Sequence, residues 1–212
     1  MEIFLDTANP DDVTFYADFI DGVTTNPSLI AKSDCNDINA LIKKICQSIS
    51  GPVSVEVISE KYENMLTEGE KIAKIHSNVC VKLPCTFDGL RVCKKLSTNG
   101  IPTNMTLCFS PSQALLAAKC GATYVSPFVG RLDDIGHDGI SLVEEIIDIY
   151  KASMYETRVL VSSIRNLQHV VQAAMLGADA ITISPQILKQ CFDHPLTSRG
   201  LEIFAKDWKK KK

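Results

Sequence analysis

Histidine is scarce in this chain of 212 residues, with only four, and none of the eight cysteines forms a CxxC pair. Cys35, Cys46, Cys80, Cys85, Cys93, Cys108, Cys120 and Cys191 fit neither a zinc-ligand spacing nor a disulfide framework. Most lie in apolar stretches, so they read as small buried hydrophobes in a reducing compartment. No GxGxxG turn follows the first β-rich run and no Walker-type glycine loop occurs, which removes the usual nucleotide-binding signatures. No apolar run approaches the roughly 18 residues that a membrane span needs. The chain opens directly on a strand-like run, Glu2-Ile3-Phe4-Leu5-Asp6, without a basic region ahead of an apolar signal segment. A net charge of -3 gives no electrostatic footprint for nucleic acid. The basic tail Lys209 to Lys212 reads as a frayed, solvated end. These absences lead to an expectation of a cytoplasmic protein with no nucleic-acid partner, no membrane partner, no metal and no cofactor.

What is present is a regular alternation. Eight short β-rich runs recur along the chain: Glu2–Thr7, Gly22–Asn26, Val53–Ile58, Val79–Pro84, Pro102–Cys108, Tyr124–Val129, Arg158–Ser163 and Ala180–Ser184. Amphipathic segments lie between them. Ile38, Leu41, Ile42, Ile45 and Ile49 form one apolar stripe at helical spacing, and Leu142, Val143, Ile146, Ile147 and Tyr150 form another. Asn9-Pro10, Asn26-Pro27, Ser110-Pro111 and Ser184-Pro185 each set an N-cap residue before proline at the first helical position. Gly121 and Gly177 read as helix stops before strands. Strands alternating with helices imply parallel βα units. Eight units in this length predict a single (β/α)8 barrel domain over residues 1–212. A doubly wound open sheet is the alternative. A C-terminal helix is expected from about 196 to 212, with Leu201, Phe204 and Trp208 capping the barrel or packing on a neighbouring subunit.

Lys82 stands out within this pattern. It interrupts the apolar run Val79-Cys80-Val81-Lys82-Leu83-Pro84, a strand of the kind buried on both faces. A lysine there must lose its charge or be paired. The alternation of side chains along strands supplies it with company, because one face of each strand looks into the barrel. Asp6, Thr24, Asn26, Ser54, Glu56, Asn104, Thr106, Ser126 and Phe128 share the inward parity on their strands, while the other parity is largely apolar. Ser163 follows an apolar run at the end of strand seven. Barrel active sites lie at the carboxyl ends of the strands, where these residues fall.

An amine with carboxylates in one confined space suits Schiff-base chemistry on a carbonyl compound. Glu56 and Thr106 suit the proton shuttle that removes water from the carbinolamine. The iminium is an electron sink, and Asp6 is the remaining carboxylate to take a proton when a C–C bond breaks. Asn26, Asn104, Ser126 and Ser163 offer hydrogen bonds to a polyol chain. Arg131 and Arg165, just past strands six and seven, suit an anionic group such as phosphate. Asp133, Asp134, His137 and Asp138 cluster behind Arg131, and read as an acidic loop before a helix in preference to a cation site.

With these residues in view, the chain resembles the transaldolases, specifically the small-subunit type. The matching stretches are Phe4-Leu5-Asp6-Thr7, Gly22-Val23-Thr24-Thr25-Asn26-Pro27-Ser28, Val81-Lys82-Leu83-Pro84 and Gly100-Ile101-Pro102-Thr103-Asn104-Met105-Thr106, followed by Ser126-Pro127-Phe128-Val129-Gly130-Arg131 and Ser163-Ile164-Arg165-Asn166. The resemblance implies a (β/α)8 barrel that moves a dihydroxyacetone unit from a ketose phosphate to an aldose phosphate. It implies Lys82 as the Schiff-base residue, Asp6 as the acid/base for C–C cleavage, and Glu56 with Thr106 as the holders of the catalytic water. Thr24, Asn26, Asn104, Ser126 and Phe128 would meet the bound fragment, and Arg131, Ser163 and Arg165 the phosphate. It further implies a homo-oligomer, a ring or stacked ring such as a pentamer or decamer. The same family includes fructose-6-phosphate aldolases, which release free dihydroxyacetone and typically carry Gln at the position of Glu56 and Tyr at that of Phe128. The Glu and Phe found here favour transfer over release. An aldolase, or a non-catalytic sugar-phosphate-binding ring protein on the same barrel, are the alternatives.

Overall fold

The computed structural model describes residues 1–33, 35 and 37–211. Its strands are β1 (Glu2–Asp6), β2 (Gly22–Thr24), β3 (Val53–Glu56), β4 (Val79–Pro84), β5 (Thr103–Cys108), β6 (Tyr124–Pro127), β7 (Arg158–Val161) and β8 (Ala180–Ile183). The helices between and after them are α1 (Pro10–Phe15), α2 (Pro27–Ile30), α3 (Ile38–Gln47), α4 (Tyr62–Ala73), α5 (Phe87–Thr98), α6 (Pro111–Lys119), α7 (Val129–Asp133), α8 (Gly139–Ser153), α9 (Leu167–Leu176), α10 (Pro185–Phe192) and α11 (Pro195–Lys210). The strands close in sequence order into a barrel, each parallel to its neighbours, with β1 against β8. The fold is the expected (β/α)8 barrel. Every expected strand is present, and most are shorter than the sequence suggests because the barrel ladder ends where the polar site begins.

Local signals set the helix starts. Asn9, Asn26, Ser110 and Ser184 are all N-caps whose side-chain oxygens accept a backbone N–H of the first turn, and each is followed by proline. Proline costs nothing there, since its missing N–H has no intrahelical partner in any case. Gly121 and Gly177 lie at φ +79° and +76°, the left-handed geometry that ends a helix. The stripe of α8 is buried throughout, from Leu142 to Tyr150. The stripe of α3 is buried at Leu41, Ile42 and Ile45, but its first member, Ile38, is exposed.

Two cores follow from strand alternation. Residues of one parity, among them Leu5, Val23, Val55, Val81, Met105 and Val125, pack outward against the helices. Burying each such side chain contributes about 1.5–3 kcal/mol. Phe4, Cys80, Tyr124, Leu160 and Ala180 have the other parity and fill the lower half of the barrel. Below that layer, Arg158 pairs with Glu2 at 3.0 Å, donates to the Tyr124 hydroxyl at 3.0 Å and lies over its ring. The inward polar residues of the upper half sit above this floor.

All eight cysteines are free thiols, four of them buried and two, Cys35 and Cys191, exposed. Helix α11 runs from Pro195 to Lys210, and Lys212 lies outside the described residues. No described residue of α11 is buried, and Leu201, Phe204 and Trp208 are 63%, 72% and 67% exposed. These side chains therefore do not cap the barrel of their own chain. No described helix is long and apolar enough to cross a membrane.

Candidate active site

The strand register builds the centre of the site. Lys82 on β4 lies level with Glu56 on β3 and Asn104 on β5, while Asp6 on β1 lies level with Thr24 on β2. All point inward because they share parity, and they meet above the apolar floor. Lys82 is buried, and its Nζ lies 2.9 Å from Glu56 Oε2 and donates to the Thr25 carbonyl at 3.0 Å. The lysine has thus been accommodated by pairing. A buried pair of this kind needs its remaining hydrogen-bonding capacity met by neighbours, and the Thr25 carbonyl meets part of it.

Asp6 occupies the opposite side. Thr24 Oγ1 donates to Asp6 Oδ1 at 2.7 Å and lies 2.6 Å from Thr182 Oγ1. With Asp6 ionised, the single Thr24 proton points at the carboxylate, so Thr182 is the donor in the second contact. Burial holds the Asp6 carboxyl above its ordinary value. The Thr24 hydrogen bond and the charge of Lys82 pull it down, and the charge of Glu56 adds to the rise.

A cavity of about 550 Å³ opens over these groups. Asp6, Thr24, Asn26, Glu56, Lys82, Phe128, Arg131, Ser163 and Arg165 all reach its wall. Asn104, Ser126 and Thr106 are fully buried beside it. Ser126 donates to Asn104 Oδ1 at 2.7 Å, and Asn104 Nδ2 donates to Ser54 Oγ at 3.1 Å, which fixes the amide's orientation. Thr106 Oγ1 is buried without a hydrogen-bond partner among the described residues. Buried hydroxyls are normally paired, and no protein group among the described residues supplies a partner for this one. Asn26 uses its Oδ1 to cap α2, accepting from Leu29 N at 2.9 Å, which leaves the amide nitrogen for the cavity.

The rim is cationic and shaped by backbone conformation. The Arg131 guanidinium lies 5.0 Å above the Phe128 ring, a cation–π contact. Arg131 has no carboxylate partner among the described residues, whereas Arg165 pairs with Asp134 at 3.0 Å. Ser163 has φ +61° and Leu107 has φ +56°, both in the left-handed region that non-glycine residues rarely adopt. Such conformations persist where surrounding contacts enforce them, and they concentrate at functional sites. Gly130 provides one such contact, its N–H donating to the Ser163 carbonyl at 3.1 Å. A Cβ on Gly130 would fall 2.2 Å from that oxygen and 2.5 Å from Arg165 Cγ, so only glycine lets the segments approach.

The acidic cluster behind Arg131 is largely the loop expected before a helix, with Asp134, His137 and Asp138 in the turn that leads into α8. Asp133 ends the short helix α7, Asp134 faces Arg165, and Asp138 caps α8 through Ile140 N and Ser141 N. Some cavity residues escape the sequence reading. Thr182 shares the inward parity of β8 with Ala180, and strand alternation alone could have found it. Leu107 reaches the cavity because the register of β5 shifts between Met105 and Cys108, and the Thr25 contact uses a backbone atom. Neither leaves a mark on residue types.

Known proteins resemble this chain along nearly its whole length. The family model described as Transaldolase/Fructose-6-phosphate aldolase matches residues 3–212. A protein of Thermodesulfovibrio yellowstonii named "Probable transaldolase" is 55% identical over 214 residues, covering 100% of both chains. One of the same name from Brucella anthropi is 52% identical over 212 residues, covering 99% of this chain and 97% of its own. Another from Clostridioides difficile is 50% identical over 210 residues, covering 98% and 97% respectively.

Proposed function

This chain belongs to the transaldolase/fructose-6-phosphate aldolase family, and on that premise we propose that it is a transaldolase working through a Schiff base on Lys82. The donor is a ketose phosphate, sedoheptulose 7-phosphate or fructose 6-phosphate. The acceptor is an aldose phosphate, glyceraldehyde 3-phosphate or erythrose 4-phosphate. The observation that carries the reading is the buried Lys82 amine, 2.9 Å from Glu56 and in one cavity with Asp6.

Each step has a residue suited to it. The Lys82 amine attacks the ketone carbon, and the carbinolamine loses its oxygen as water to give the iminium. Glu56 receives a proton from the amine and returns one to the departing oxygen. The unpartnered Thr106 hydroxyl is suited to hold that water with Glu56. The bond between the second and third carbons from nitrogen then breaks, its electrons flowing into the iminium to give an enamine. Asp6 takes the proton of the hydroxyl that becomes the first product's aldehyde. A carboxylate whose proton affinity burial has raised is the stronger base for that step. Asn26, Asn104 and Ser126 hold the fragment's hydroxyls, and Arg131, Ser163 and Arg165 grip the phosphate. Phe128 supplies no hydroxyl to protonate the enamine carbon, so the fragment waits for an acceptor. The reading includes one domain over residues 1–212, a ring-like homo-oligomer, cytoplasmic location and a place in the non-oxidative pentose phosphate pathway.

A coupled assay with fructose 6-phosphate, with and without erythrose 4-phosphate, tests the proposal. Glyceraldehyde 3-phosphate should accumulate steadily only when the acceptor is present, and borohydride should trap the three-carbon adduct on Lys82. Free dihydroxyacetone released at the same rate without acceptor would replace transfer with an aldolase. Full activity in Lys82→Met would remove the mechanism altogether.

A further inference from the structure

We infer that His169 and Asp133 are positioning residues that lock the two anion-gripping arms, Arg131 and Arg165, into one geometry. The inference rests on the sugar-phosphate reading of the site. Neither residue lines the cavity, so neither is a catalytic residue.

His169 lies in the first turn of α9, its N–H capped by Asn166, and its ring is buried. Nδ1 accepts the backbone N–H of Arg165 at 3.4 Å, and Nε2 lies 3.0 Å from Asp133 Oδ2. A ring that accepts at Nδ1 carries its proton on Nε2, so it donates to Asp133. The other Asp133 oxygen accepts the N–H of Gly139 at 2.9 Å. One imidazole and one carboxylate therefore join three segments: the loop after β7, the end of α7 and the start of α8. Arg131 sits on α7 two residues before Asp133, and Arg165 is the residue whose backbone the ring holds.

The loop needs such a strut. It contains Ser163 at φ +61°, a conformation that must be over-determined by its surroundings. Gly130 N holds it from one side at 3.1 Å, and His169 holds it two residues further along. Without the imidazole, the Arg165 N–H loses its partner and the loop can relax toward ordinary backbone angles. Arg165 would then swing relative to Arg131, and a phosphate could no longer meet both. Lys82, Glu56 and Asp6, held by other strands, would keep their places.

The test separates phosphate grip from chemistry. With fructose 6-phosphate as donor, His169→Ala should raise KM about tenfold, the scale of one lost hydrogen bond, and leave kcat within about twofold. Borohydride trapping of dihydroxyacetone on Lys82, which involves no phosphate, should proceed at the wild-type rate. Inorganic phosphate, competing for the arms, should inhibit turnover of fructose 6-phosphate in the wild type and about tenfold more weakly in the variant. His169→Asn, whose Oδ1 can take the place of Nδ1 opposite Arg165, should recover most of the lost affinity. Asp133→Ala cuts the strut from its other end and reports the same quantities if His169→Ala does not fold. Equal losses with phosphorylated and phosphate-free compounds, or a fall in melting temperature with unchanged KM, would overturn the inference. If the wild type neither traps dihydroxyacetone nor responds to phosphate, the sugar-phosphate reading has failed and the inference falls with it. If the wild type does both and the variants match it, only the positioning role has failed.

Discussion

Asp6 carries a conflict between stability and chemistry. Its carboxyl is partly buried at the cavity wall, and desolvation there favours the protonated form over the charge that neutral solution imposes. In the unfolded chain the same group titrates at its ordinary value. Above the raised folded value, ionised Asp6 therefore costs folding free energy. As pH falls toward the ordinary carboxylate value that cost disappears, because the native state takes up the proton first. Asp6→Asn, whose Oδ1 can still accept from Thr24, should have a higher urea midpoint than the wild type at pH 7, and the gain should shrink as the pH is lowered. The same variant should lose roughly 10²–10⁴-fold in turnover, the range for removing a general acid/base. A variant less stable at pH 7 than at acid pH, relative to wild type, would contradict the assignment. Lys82 is resolved differently, by a partner. Residue types and strand parity made the set Asp6, Glu56 and Lys82 legible beforehand. The contact from Lys82 to the Thr25 carbonyl was not, because a backbone acceptor has no residue-type signature.

Single side chains are aimed by elements, and the β3–α4 connection shows how. Glu68 in α4 accepts the backbone N–H of Ile58 and of Ser59, each at 2.9 Å. Those amides follow Glu56 by two and three residues, so α4 holds the segment leaving the strand that carries it. Glu68→Gln keeps one acceptor oxygen and turns the other into a donor facing an N–H. The change should cost about 1–3 kcal/mol and speed hydrogen exchange at Ile58 and Ser59 before the amides of β3 itself. Uniform acceleration across the barrel would mean that Glu68 serves general stability instead. Element starts were the most legible part of the chain, since Asn or Ser before proline satisfies two local rules at once. Strand ends were the least legible. Apolar alternation runs on past the last ladder bond, and only closure of the barrel decides where pairing stops. The bulge that turns Leu107 into the cavity is likewise a product of the β5–β6 pairing, not of local propensity.

The outer surface of the molecule holds one feature that a lone chain does not explain. The apolar face of α11 is uncovered, and Phe192, three residues before its start, meets Phe19 edge to face. Large exposed apolar side chains on one helix mark an interaction surface. Light scattering should give a mass several times that of one chain. Replacing Leu201, Phe204 and Trp208 with serine should reduce it to a single chain with the barrel's circular dichroism intact. A wild-type mass of one chain would remove the oligomer from the proposal. Periodicity made this helix legible, but its destination was not. Sequence offered the barrel mouth or a neighbour, and only the exposure of Leu201, Phe204 and Trp208 removes the first.

The floor of the barrel has a consequence for traffic. Phe4, Tyr124 and Leu160 stop the lower half, and the Arg158–Glu2 pair bolts it from below. Whatever reaches Lys82 must enter from above and leave by the same door. On the proposed mechanism, the first product would leave by this mouth before its successor enters, which suits the alternation that a covalent lysine intermediate would require.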